Sequence, residues 1–88
     1  MTPLRLRLGK TIRRLREARG VSQEAFAQKA KVHRTTMSEI ERGLSNISVD
    51  IAERIAHALD LTLSDLFFDV EAEQAASAAR KARPRTSL

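Results

Sequence analysis

The sequence predicts an all-α, compact five-helix domain, and three observations support this. Apolar residues recur at three- and four-residue spacing along most of the chain, helix-capping residues stand ahead of those runs, and no stretch alternates convincingly as a strand. "LRLRL", at residues 4–8, does alternate, but it is too short and too charged to found a sheet. Eighty-eight residues with an apolar fraction of 42% suit one small folded domain.

The first helix is expected over about residues 7–19, with Leu8, Ile12 and Leu15 inward and Gly20 able to close its C-terminus. The second follows Ser22, a good N-cap, and turns Phe26, Ala27 and Ala30 inward. A break at "KAKVH" leads to the third helix, about residues 33–42, which buries Met37 and Ile40 and stops at Gly43. Lys31 stands in that break, where a left-handed residue is expected and glycine would be easiest. Ser48 caps a fourth helix over about 49–58, whose stripe is Ile51, Ala52, Ile55 and Leu59. Thr62 and Asp65 form a capping-box-like start to a short fifth helix carrying Leu63, Leu66 and Phe67. By this reading residues 1–6 are a flexible arm, 7–68 the helical domain, and 69–88 an extension, partly helical and then disordered.

Charge is segregated along the chain. Residues 1–43 hold eleven Lys/Arg against four Asp/Glu, and residues 44–73 hold one Arg against seven acids. Such a division suits one face turned to a polyanion and another turned away. Cysteine is absent, and the two histidines, His33 and His57, have no companions at ligand spacing, so neither a metal nor a cofactor is expected. No serine stands in a nucleophile constellation, and Gly9, Gly20 and Gly43 form no phosphate-cradling loop, so no enzyme is read here. Three Phe with no Trp or Tyr argue against stacking on single strands or RNA and leave double-stranded DNA as the better target. No apolar run approaches membrane-spanning length, and a cytoplasmic, nucleoid-associated protein is expected.

The pair of helices around the break carries the functional signal. With Phe26, Ala30, Val32, Met37 and Ile40 packed between them, Arg34, Thr35, Ser38 and Glu39 remain on the outer face of the third helix. A helix that enters a major groove needs this division into an anchored side and a side bearing donors and acceptors.

Residues 12–67, and above all "GVSQEAFA", "IERG" followed by "SNIS", and "IAHALDLTLSDLF", resemble the XRE helix-turn-helix family of Cro and lambda-type phage repressors. "HRTTMSEIERG" followed by "SNIS" is similar to the controller proteins of restriction–modification systems within it. The resemblance implies a lambda-repressor-like domain acting as a homodimeric transcriptional regulator on a near-palindromic operator, with the third helix in the major groove. It implies base contacts from Arg34 and Thr35, and leaves Glu39 open between a base contact and a bystander. Backbone contacts are implied for Gln23, Thr36, Ser38, Arg42 and Asn46, and a structural ion pair for Arg16 and Glu41. Leu63, Leu66, Phe67 and Val70 are the candidates for the dimer contact. Two alternatives remain at this point: an antitoxin that also holds a toxin through residues 69–88, and a helical protein-interaction module that does not bind DNA.

Overall fold

The computed structural model describes residues 2–82, with side chains described through residue 76. Its helices are α1 (Leu4–Ala18), α2 (Gln23–Ala30), α3 (Arg34–Glu41), α4 (Val49–Ala58) and α5 (Leu63–Ala82). No strand occurs among the described residues. Helices α2 and α3 form the helix-turn-helix; α1 packs against α3 and α5, and α4 against α2 and α5. Phe26, Ile12, Met37, Ile40, Ile55, Leu59, Leu66 and Val70 fill the centre between them.

The starts of three helices are set by side-chain caps. Ser22 accepts from Ala25 N–H and Ser48 from Ile51 N–H, each at 3.1 Å. At α5, Thr62 Oγ1 accepts from Asp65 N–H at 3.0 Å while Asp65 Oδ2 accepts from Thr62 N–H at 3.4 Å, a reciprocal capping box.

The first four helices all end alike. Gly20, Lys31, Gly43 and Asp60 take positive φ. The next residue's N–H then reaches back five positions, from Val21 to Arg16, Val32 to Ala27, Leu44 to Glu39 and Leu61 to Ala56. This is the left-handed C-terminal closure that favours glycine. Lys31 adopts φ 59° and ψ 45° without a glycine's freedom, and Asp60 at φ 61° is a second such position that sequence reading passed over.

Gly9 has a different purpose. A Cβ there would lie 2.7 Å from the main-chain oxygen of Glu41 and also strike that of Ile40. Its hydrogen lets α1 and the end of α3 approach backbone to backbone.

Three expectations change. α1 starts at Leu4 rather than near residue 7, because Leu6 lies against Gly43 and Arg5 Nε donates to Gly43 O at 3.1 Å. The short fifth helix and its extension are one continuous helix of 20 residues. Along it, Arg7 pairs with Glu71 at 3.9 Å and Arg14 pairs with Glu73. Leu66 and Val70 are 0% exposed, so they belong to the subunit's own core and not to a dimer contact. Being four residues apart, they share the face of α5 that packs inward. The expected disorder of "RPRTSL" lies outside the described residues.

The left-handed lysine gives the first test. Relief of about 1–2 kcal/mol of side-chain strain, less the roughly 0.5–1 kcal/mol entropy cost of a glycine, makes Lys31→Gly stabilising by about 0.5–1 kcal/mol. Urea unfolding of the two proteins, compared at the midpoint, measures this, and a glycine variant that unfolds earlier would refute it.

Candidate nucleic-acid interface

The outer face of α3 is built by periodicity. Met37, Ile40 and Glu41 are buried, while Arg34, Thr35 and Arg42 are exposed and Ser38 is half-buried. Gln23, Arg34, Thr35, Ser38 and Arg42 together line one open concavity between the start of α2 and α3. It holds two guanidiniums, two hydroxyls and an amide, with no carboxylate on its lining. Five of the candidate DNA-contact residues therefore meet on one surface.

The other three stand apart. Thr36 is half-buried and outside this concavity. Glu39 is half-buried and accepts from Ser45 Oγ at 3.4 Å, tying α3 to the loop that follows. Asn46 is exposed and borders a separate, largely apolar cleft with Leu4, Leu8, Ile47 and Val49.

At the start of α3, His33 supplies no side-chain cap. The first-turn amides of α3 lack the side-chain acceptor that serves α2 and α4, which suits them to an external anion beside the positive end of the helix.

Behind the concavity lies a buried charge node. Arg16 Nε donates to Glu41 Oε2 at 2.7 Å and Arg16 Nη2 to Glu41 Oε1 at 3.0 Å. The remaining Nη1 donates to Val21 O at 2.8 Å. Gln23 Nε2 donates to the same Glu41 Oε1 at 3.1 Å. Arg16 is 8% exposed and Glu41 7%. The bonds to Glu41 raise the guanidinium's pKa above its ordinary value, with burial opposing them. A raised pKa on a cation means the stabilisation is present at all ordinary pH and is lost only as pH climbs through that elevated value.

Gly9 lets the backbone that carries Glu41 come close to α1. Gly9 and Arg16, seven residues apart on one face of α1, both meet the end of α3 at Glu41. Sequence reading missed Gly9; its signal was a lone glycine inside an amphipathic helical run. It also missed the bond from Arg54 Nε to Ala30 O (3.2 Å), which fastens α4 to the end of α2.

The helix-turn-helix family model matches residues 12–66. The chain belongs to that family. It is 40% identical to control protein C.MunI of a Mycoplasma species over 83% of this chain and all of that one. Among solved structures, the clp gene regulator ClgR of Corynebacterium glutamicum superposes with a TM-score of 0.81 at 29% identity, over 91% of this chain and 85% of that one. The restriction–modification controller protein C.AhdI of Aeromonas hydrophila gives 0.68 at 34% identity, over 70% and 94%. The family is one of DNA-binding transcriptional regulators of the XRE type, not of enzymes. Among the described residues no helix is long and apolar enough to cross a membrane.

The charge node sets a second test. Removing one partner strands the other in the interior, so Glu41→Ala should lower stability by about 3–5 kcal/mol, against a total near 5–15 for a domain of this kind. Arg16→Lys should keep little of the pair's contribution, because an ammonium cannot hold both carboxylate oxygens and Val21 O in one plane. Denaturant titration measures both, and a lysine variant as stable as the parent would show that only charge matters.

Proposed function

We propose that this regulator binds a near-palindromic duplex operator as a homodimer, with α3 in the major groove, and serves as a restriction–modification controller protein. The observation that carries the DNA reading is the concavity shared by Gln23, Arg34, Thr35, Ser38 and Arg42, cationic and free of carboxylates, at the uncapped start of α3. The similarity to C.MunI and C.AhdI supports the controller reading. Arg34 and Thr35 are the base readers, the arginine suited to the O6 and N7 of a guanine. Ser38 and Arg42 engage phosphates at the rim, with Thr36 and Asn46 further out. Glu39, already engaged by Ser45, shapes the α3–α4 loop. Such a protein works in the cytoplasm on the nucleoid.

The dimer contact in this reading moves to what α5 leaves outside. Leu63 and Phe67 are half-buried and Phe68 is 71% exposed. A large aromatic held in water on a rigid helix favours burial against a second copy. A toxin held through residues 69–88 is not part of this reading, since Glu71 and Glu73 already engage α1.

Duplexes enriched from a random pool supply the test. Affinity for them should fall steeply with salt, at a logarithmic slope near −0.9 for each phosphate neutralised. Arg34→Ala should weaken the enriched duplex by about 1–3 kcal/mol and random duplex much less. Negligible affinity for any duplex at low salt would end the DNA reading, and equal losses on both duplexes would make Arg34 a phosphate contact.

Oligomeric state is tested separately by sedimentation. Phe68→Asp should shift the protein towards monomer while leaving its helical content intact, because the side chain contributes nothing to the subunit's core. A variant that remains as dimeric as the parent would exclude this face.

A further inference from the structure

We propose that Lys29, Lys31 and Arg54 form a docking surface for an acidic protein segment, separate from the concavity on α3. The three cations line an open hollow of about 270 Å3, floored by Ala30 and Ala58 and bordered by His57. No carboxylate lines it, and it shares no residue with the concavity of Gln23 and Arg34. The two lie at opposite ends of α2, whose first residue is Gln23 and whose last is Ala30.

Arg54 is the only Lys or Arg between residues 44 and 73. Its Nε donates to Ala30 O at 3.2 Å, which holds the guanidinium at the end of α2 and leaves its two NH2 groups for an anion. All three cations are exposed. None forms a salt bridge among the described residues, whereas Arg7, Arg13, Arg14 and Arg16 of α1 each do.

The helix ends do not need these charges. At the end of α2, Ala27 O and Gln28 O accept from the N–H groups of Val32 and Lys31. At the end of α4, Ala56 O and His57 O accept from those of Leu61 and Asp60. Lys31 carries the argument furthest. It holds φ 59° and ψ 45°, where a glycine would be unstrained. The turn requires only that backbone conformation, so the ammonium is an addition, set beside two other unpaired cations. Strain kept in a surface turn points to a use for the side chain.

A small anion suits the hollow poorly, because ligand pockets enclose most of the ligand and here every cation is exposed. A duplex held as proposed above lies at the other end of α2. A chain segment with several carboxylates has the complementary charge. The Arg54 fork takes one carboxylate in two parallel bonds, and the ammoniums take others as point charges. The short side chains of Ala30 and Ala58 let the segment lie close.

Isotope-labelled protein titrated at low salt with hexaglutamate, and separately with tripolyphosphate, supplies the test. With hexaglutamate, amide shifts should be larger at residues 29–31 and 54–58 than along α3, and tripolyphosphate should bind more weakly. Lys29→Gln and Lys31→Gly should each weaken hexaglutamate by about two- to fivefold, the range of one exposed ion pair. Their affinity for random duplex should stay within about twofold of the parent's.

Lys31→Gly separates a binding role from a structural one, since its folding stability should rise while its affinity for the peptide falls. A glycine variant that binds hexaglutamate as tightly as the parent would overturn the proposal. So would shifts centred on Arg34 and Arg42, or equal losses on random duplex, which would assign these cations to DNA. Tripolyphosphate bound as tightly at the same residues would overturn it in favour of a small anion. The peptide titration stands by itself: a parent that binds no duplex ends the DNA reading and leaves this result intact.

Discussion

The buried pairing of Arg16 with Glu41 is the interaction on which the geometry of the surface depends. One guanidinium spends three donors on three places: both carboxylate oxygens at the end of α3 and the carbonyl of Val21 in the α1–α2 connection. The starting point of α2 and the end of α3 are therefore referred to the same side chain on α1. Hydrophobic contact alone holds helices together without fixing their rotation to this degree. An ion pair with few alternatives in a dry setting does fix it, because any slip leaves a buried charge unpaired. Gly9 is the steric half of the same device, since only a hydrogen there lets the two backbones come close enough.

The surface itself gives up some local stability. His33 leaves the start of α3 without the side-chain cap present at α2 and α4, and a missing cap costs about 1 kcal/mol in a helix of ordinary exposure. Lys31 adds the strain of a left-handed lysine immediately before it. Both sit in the turn that delivers Arg34 and Thr35. An uncapped helix start is left to water in the free protein and suits an anion, so the missing cap agrees with the proposed contact to a phosphate.

Much of this was legible in the sequence, and the parts that were not share a cause. Ser22, Ser48 and Thr62 mark helix starts by chemistry that acts over three residues, and Gly20 and Gly43 mark ends in the same way, so the boundaries of α2, α3 and α4 could be read within a residue or so. The outer face of α3 followed from period alone. What depends on a distant partner could not be read. Leu66 and Val70 look identical, as a pattern, whether their apolar face meets α1 and α4 or a second copy; only the fold shows the first. Residues 4–6 look like a loose arm until Gly43 supplies a surface for Leu6 and an acceptor for Arg5. Phe68 passed unnoticed because its exposure is a property of where α5 lies, not of its neighbours in sequence.

The charge segregation along the chain takes a different meaning once α5 is in place. The acidic residues after Val70 do not simply face away from a polyanion: Glu71 and Glu73 lie against Arg7 and Arg14 of α1. Each pair is exposed and contributes little to stability. Their electrostatic effect is more useful than their energy. They neutralise part of the basic stripe of α1, which would otherwise attract phosphates to the side of the domain. The cations of the concavity, Arg34 and Arg42, have no carboxylate beside them on its lining. The positive charge along α1 is thereby reduced, which favours the face of α3 for the proposed contact with a duplex.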